Sequence, residues 1–375
     1  MGILIGMDEA GYGPNLGPLV VAATAWEVAD EGSGFRVQDF SGGPASAGRR
    51  TSRLQNSGVS VAPASKAEVG ELDLYSLLDD FVSRSPKADR LAIADSKALY
   101  RPGLGLSLLE RGMHAALAAL DKPAASWSAI VEALSADPDG SQRDLPWHAG
   151  FDCDLPVDVA GDELMLLGAR LSATCAAAGA RPVALRARLV FPAEFNELTE
   201  RHGSKGAALS HVTIGLLREM LQTLAGCAAA AEPPAKPGAD RSYFGTPVPV
   251  LAVCDKHGGR NHYHGLLQHF FPDQWIETLV ESRAESRYHW GVPDTRVEVA
   301  FRRGGESFLP AALASMTAKY LRELAMKAWN AFWCARVPGL RPTAGYPLDA
   351  RRFKTGIEST QRALGIDDHI LWRNR

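Results

Sequence analysis

Asp8 and Glu9 stand side by side at the end of the apolar run Ile3-Leu4-Ile5-Gly6-Met7, and Asp255 follows a second run, Val248 to Val253. Glu323 lies seven residues beyond Met316, within a long apolar-periodic stretch. Carboxylate oxygens converging from separate elements are the donors that hard cations such as Mg2+ or Mn2+ prefer. Two such ions hydrolyse a phosphodiester near neutral pH, one activating water and both neutralising charge on the attacking and leaving oxygens. Taken singly, each acid reads first as an exposed strand-end or helix-surface carboxylate, because spacing alone does not show convergence.

The elements that would have to deliver these acids are legible in outline. Residues Ile3 to Val28 read as a β-hairpin with Gly11, Gly13, Pro14, Gly17 and Pro18 in its turn. Consecutive strand residues point to opposite faces, so a shared role for Asp8 and Glu9 requires the strand to end or bulge at Glu9. Helical spacing covers Leu72 to Phe81, Leu106 to Leu120, Glu163 to Ala178, Phe195 to Leu224 with a break at Gly203, and His262 to Phe270. Leu91-Ala92-Ile93-Ala94 leads into Asp95-Ser96-Lys97, and strands are expected at Val248 to Val253, Trp275 to Val280 and Arg296 to Phe301. The last helix starts after Pro310 and runs to about Trp333, with Leu313, Met316, Tyr320, Leu324 and Ala328 at steps of three and four. Two turns past Met316, Glu323 falls on the same side, at the border of the apolar stripe. Strands mixed with helices throughout imply an α/β layer architecture.

With 375 residues, 46% of them hydrophobic and 22% charged, the chain has the composition of an ordinary globular protein, which excludes wholesale disorder and fibrous repeats. No apolar run approaches the roughly 18 residues of a membrane span. The start, Met1 to Glu9, lacks a basic region and meets two carboxylates at once, unlike a signal peptide. A cytoplasmic protein without membrane contact is expected. Five scattered cysteines (Cys153, Cys175, Cys227, Cys254, Cys334) indicate neither a disulfide framework nor a zinc site. The net charge is -3, yet residues 296–375 hold 14 Lys and Arg against 7 Asp and Glu, a basic block suited to a solvated helical surface or to phosphate contacts.

Gly6-Met7-Asp8-Glu9-Ala10-Gly11-Tyr12-Gly13-Pro14, followed by Gly17-Pro18-Leu19-Val20-Val21, resembles the opening motif of the ribonuclease HII family, Asp-Glu-Ala-Gly-Arg-Gly and then Gly-Pro-Val-Val. Asp95-Ser96-Lys97-Ala98-Leu99, Phe195-Asn196, Val253-Cys254-Asp255, Ala314-Ser315-Met316 through Glu323, and Gly345-Tyr346-Pro347 resemble later family blocks in the same order. The resemblance covers about 200 of the 375 residues. It implies an α/β ribonuclease H-like mixed sheet flanked by helices, and a metal-dependent endonuclease that hydrolyses the RNA strand of RNA/DNA hybrids using Mg2+ or Mn2+, expected as two ions. Asp8, Glu9, Asp255 and Glu323 would be the catalytic and metal-binding acids. Gly11, Tyr12, Gly13 and Tyr346 would approach the ribose 2'-hydroxyl, the group that tells RNA from DNA. Ser96 and Lys97 would complete the substrate site, Lys97 on a phosphate. No protein partner is implied. The core would comprise 1–28, 71–122 and 186–375, with 29–70 a flexible insert and 123–185 an inserted helical segment.

The chain departs from the family pattern at named positions. Tyr12 replaces an Arg, removing a guanidinium suited to phosphate. Glu323 replaces an Asp, Lys256 stands where a Gly usually follows the third acid, and Arg352 lies near the place of a missing His. Two alternatives stay open: a ribonuclease H-like nuclease with another nucleic-acid substrate, and a nucleic-acid-binding homologue without turnover. His257, His262, His264 and His269 crowd one stretch, as loop and surface residues or, for His257, as an aid to proton transfer. Trp329 and Trp333 read as core packing.

Overall fold

The computed structural model describes residues 1–29, 72–231 and 248–374. Beyond its first residue, the expected insert at 29–70 lies outside the described residues, as does most of the Pro-rich stretch before Val248. Among the described residues, nine strands form in chain order: β1 (Gly2–Ala10), β2 (Leu19–Val28), β3 (Val82–Ser83), β4 (Leu91–Ala92), β5 (Ala180–Val190), β6 (Val250–Asp255), β7 (Glu277–Glu281), β8 (Glu285–Trp290) and β9 (Val297–Arg302). The α-helices among the described residues are α1 (Leu74–Leu77), α2 (Ser96–Leu99), α3 (Ser107–Ala119), α4 (Trp127–Ala133), α5 (Gly161–Ala177), α6 (Pro192–His202), α7 (Lys205–Ala231), α8 (His264–Phe270), α9 (Leu309–Arg336), α10 (Pro347–Ala363) and α11 (Asp368–Leu371).

Seven strands make one mixed sheet in the order β5-β2-β1-β6-β9-β8-β7. β1 pairs antiparallel with β2 and parallel with β6, which is itself parallel to β9. Parallel neighbours need long crossovers, and the helices in those crossovers cover both faces of the sheet. One core forms beneath α9 and α3, with Leu4, Val20, Val253, Met316 and Leu324. The other forms beneath α7 and α8, with Ile5, Met7, Val21, Cys254 and Leu217. This is the α/β class expected, a mixed sheet flanked by helices.

β1 contradicts the expected break at Glu9. It continues through Ala10 with Asp8 opposite Ala22 and Glu9 opposite Val21, in unbroken register. The pairing is retained because Ala10 is itself buried and packs into the α9-side core. The alternation of faces therefore holds through the two acids. Several other elements differ from expectation. The helix over 72–81 contracts to the four residues of α1. β5 starts at Ala180, so the end of the segment 123–185 belongs to the sheet. Arg181, Pro182, Arg186 and Arg188 interrupt the apolar pattern of that strand, which its edge position tolerates. β8 and α10 were also unanticipated. Trp329 and Trp333 are buried as expected.

The crossing of α9 over β1 leaves no room for a side chain at Gly6, where a Cβ would lie 1.9 Å from the Ala311 nitrogen. Thr24 Oγ1 donates to the Pro310 carbonyl at 2.7 Å and pins the start of α9 to β2. Gly6→Ala must push backbone apart and is expected to destabilise the chain by about 3 kcal/mol or more. Urea unfolding of the purified variant checks this, and an unchanged midpoint would contradict so close a contact.

Candidate active site

The parallel register matches Met7 with Cys254, so the next residues, Asp8 and Asp255, stand level at the carboxyl ends of adjacent strands. Both leave the sheet on the α9 side, since their alternate neighbours Leu4, Ala10 and Val253 belong to that core. Asp8 Oδ1 accepts the Glu9 backbone N–H at 2.8 Å. Its carboxylate also bonds the hydroxyl of Ser315 on α9. The Ser315 oxygen lies 3.3 Å from Asp95 Oδ1 and 3.0 Å from Ser96 Oγ, and accepts the Ser96 N–H at 3.2 Å. Asp95 caps the short α2 by accepting from the Lys97 N–H.

Glu9 leaves the opposite face yet stays within electrostatic reach of Asp8 and Asp255. Burial raises the Asp8 carboxyl well above the ordinary carboxylate range, with Asp255 and Asp95 adding to the rise against the opposing bonds from Ser315 and Glu9. Glu9 is raised by burial and then by the charges of Asp8 and Asp255, with Lys97 opposing. For Lys97, partial burial works against the charge, but Asp95, Asp8, Glu306 and Glu9 outweigh it and hold the ammonium protonated. Half-buried carboxylates that repel one another with one lysine among them form a site that gains from an added cation.

Glu323 is engaged elsewhere. Its carboxylate accepts from Tyr100 OH at 2.9 Å and pairs with Lys319 at 2.5 Å. At about 1.5 Å per helical residue, Glu323 lies about 12 Å further along α9 than Ser315. Among the described residues, no group of three or more His, Cys, Asp or Glu stands placed to hold a metal ion. The donor chemistry of Asp8, Glu9 and Asp255 nonetheless fits a hard divalent cation, being all carboxylate oxygen.

The loop after Glu9 is held from behind by two buried arginines. Gly11 has φ +87°, and a Cβ there would meet Arg322 and the Pro18 carbonyl. Arg322 donates to the carbonyls of Leu16 (3.3 Å) and Ala344 (3.1 Å). Arg373 donates to the carbonyls of Gly11 (2.6 Å) and Pro14, with its guanidinium over the Phe195 ring at 4.8 Å. Burial, and then the Arg322 charge, pull Arg373 down to about 9. The exposed Tyr346 ring lies beside Gly13, 3.8 Å from where a Cβ would stand. Gly11, Gly13 and Tyr346 are thus brought together, as are Ser96 and Lys97 with Asp8. Tyr12 turns the other way, toward the core beneath α7.

The histidine stretch disperses. His257 is buried between Ser210 Oγ (3.0 Å) and Cys254 Sγ (3.3 Å), and burial with the Arg260 charge lowers it to about 3, so it is a neutral core imidazole rather than an exposed proton carrier. His262 pairs with Glu281, His264 bonds the Ile276 carbonyl, and His269 lies against His211 and Phe270. Four contributors had no separate signal in the sequence: Ser315 and Asp95 as the bridge at Asp8, Tyr100 at Glu323, and Arg373 behind Gly11. Only the blocks containing Ser315 and Asp95 had been singled out, through the family resemblance.

Among the described residues, no helix is long and apolar enough to cross a membrane. No protein-family model matches the chain, and no curated protein matches it. Among solved structures, it is similar to the ribonuclease HII of the PCNA complex from Archaeoglobus fulgidus, at 12% identity and a TM-score of 0.36, over 100% of this chain and 94% of that one. It is also similar to ribonuclease H2 from Pyrococcus horikoshii OT3, at 13% identity and a TM-score of 0.38, over 98% of this chain and 92% of that one.

Proposed function

We propose that the chain is a divalent-metal-dependent endonuclease that hydrolyses the RNA strand of RNA/DNA hybrids. The observation that carries this reading is the convergence of Asp8 and Asp255 at adjacent strand ends, with Glu9 in electrostatic reach, Asp8 raised by burial and then by Asp255 and Asp95, and Glu9 raised by burial and then by Asp8 and Asp255. Asp8, Glu9 and Asp255 would hold Mg2+ or Mn2+, and the bound ions would supply an activated water and charge neutralisation at the phosphodiester. Ser315 orients Asp8, and Lys97 offsets part of the acidic charge before any cation arrives. Glu323, tied to Tyr100 and Lys319, would have to change rotamer to serve as a fourth ligand. Main-chain groups of Gly11 and Gly13, with Tyr346 beside them, would meet the ribose 2'-hydroxyl.

A second reading, a nuclease for another nucleic acid, is favoured by one observation: Tyr12, at the place of the family's Arg, packs against the core beneath α7. Cleavage of matched RNA/DNA hybrid, DNA duplex and RNA duplex, with Mg2+ or Mn2+ and with chelator, separates the readings. Metal-dependent scission confined to the hybrid RNA strand is the expected result. Scission of only a DNA or RNA duplex would promote the second reading, and none with any substrate would leave a binding protein without turnover.

A further inference from the structure

The loop joining β3 to β4, together with α3 and α5, bounds a cavity of about 450 Å3, a size that takes a small organic ligand. Its charged lining is Lys87, Arg90, Arg111 and Arg170 against Asp89 and Glu163. Glu163 is already taken by Arg111, whose Nε lies 2.6 Å from its Oε1. Arg170 is seated over the Phe81 ring, 4.4 Å from the centroid. Among the described residues, Lys87, Arg90 and Arg170 form no ion pair with a carboxylate. Lys87 and Arg90 are moreover directly opposite each other in an antiparallel bridge. Side chains paired in this way stand on the same side, where like charges repel. The fold thus gathers uncompensated positive charge around one cavity, an arrangement that a bound anion relieves. The rest of the lining is largely apolar, with Pro86, Leu108 and Leu167 beside Phe81.

We infer that this cavity binds a phosphate monoester carrying a flat or apolar group, with Lys87 and Arg90 on the phosphate and Arg170 beside the organic part. Two cations at one turn match a dianion better than a single carboxylate, and near neutral pH a phosphate monoester carries about 1.5 to 2 negative charges. The guanidinium of Arg90 offers the paired donors that phosphate oxygens accept, and Lys87 adds a point charge. The apolar wall argues for an ester over inorganic phosphate, because only an organic group can cover it. A guanidinium plane such as that of Arg170 is a surface on which a flat ring stacks. None of these residues belongs to the candidate active site, so the assignment stands apart from the proposed function.

The test is isothermal titration of the full chain with adenosine monophosphate, in EDTA so that no metal bridges the nucleotide to the acidic site. Inorganic phosphate and adenosine are titrated in parallel. Wild type is compared with Arg90→Gln, Lys87→Gln, Arg170→Gln and Arg90→Lys, after circular dichroism has shown that each is folded. Saturable binding of one nucleotide is expected, tighter than that of inorganic phosphate and of adenosine, and weakened by added salt. Loss of a charged contact to the phosphate should weaken it by about tenfold or more in Arg90→Gln and Lys87→Gln. Arg170→Gln should weaken the nucleotide and leave inorganic phosphate unchanged, and Arg90→Lys should recover part of the loss at Arg90. A strand with a 5' phosphate, preferred over the same strand with a 5' hydroxyl and sensitive to the same substitutions, would make a strand end the source of the ester. Equal binding of the two strands would make the source a free nucleotide. Absence of saturable nucleotide binding, adenosine binding as tight as the nucleotide, or nucleotide binding unchanged in Arg90→Gln and Lys87→Gln overturns the assignment. Each of these results leaves the proposed hydrolysis standing.

Discussion

Asp255→Asn is expected to abolish hydrolysis while leaving the chain folded. The substitution keeps the size of the side chain and removes one anionic donor from the strand end level with Asp8. Partners that merely orient metal ligands typically cost 10- to 100-fold in affinity or activity when removed, so loss of a proposed ligand should exceed about a hundredfold. The fold should survive, because the backbone pairing of β6 with β1 and β9 does not involve the carboxylate. Initial rates on a hybrid with Mn2+, together with a thermal melt of the same preparation, check both halves. Wild-type turnover by the variant would remove Asp255 from the reaction.

Glu9→Gln should stabilise the metal-free chain and weaken its response to metal. Burial, and then the charges of Asp8 and Asp255, raise the folded-state Glu9 carboxyl above its unfolded value, with Lys97 opposing. Between those two values the folded chain binds more protons than the unfolded one, so stability falls as pH rises through that window. The contribution is fully present below the ordinary carboxylate range and is lost by mildly alkaline pH. Replacing Glu9 with a neutral amide removes this penalty. In EDTA at alkaline pH the variant should melt higher, by about 2–4 °C for each kcal/mol relieved. Mn2+ should raise the melting temperature of wild type by mass action and that of the variant less. A variant that melts below wild type in EDTA at alkaline pH, with an unchanged response to Mn2+, would show that Glu9 is neither strained by its neighbours nor a ligand. The same substitution should depress hydrolysis, so stability and activity would move in opposite directions at one residue.

The amino-acid sequence by itself determined the α/β class, the hairpin that carries Asp8 and Glu9, the strand that ends at Asp255 and the long helix bearing Ser315 and Glu323. These are set by local periodicity and by turn residues, which act over a few positions and leave a readable pattern. It also bore the resemblance that drew Ser96, Lys97, Gly11, Gly13 and Tyr346 into one expectation. Tertiary structure alone decided the rest, because each decision joins residues distant in the chain. Pairing of β1 with β2 continues past the acids because Ala10 has a core to enter, so Asp8 and Glu9 keep opposite faces despite their shared surroundings. Whether Glu323 joins them depends on the advance of α9 past β1 and on the competing offers of Tyr100 and Lys319, which periodicity does not register. His257 looked available two residues after Asp255, yet the packing of Ser210 and Cys254 around it makes it a core residue. The Tyr12 ring is placed in the same way, by α7 and by the loop at Gly258, each more than a hundred residues away in the chain, and no local pattern encodes such contacts.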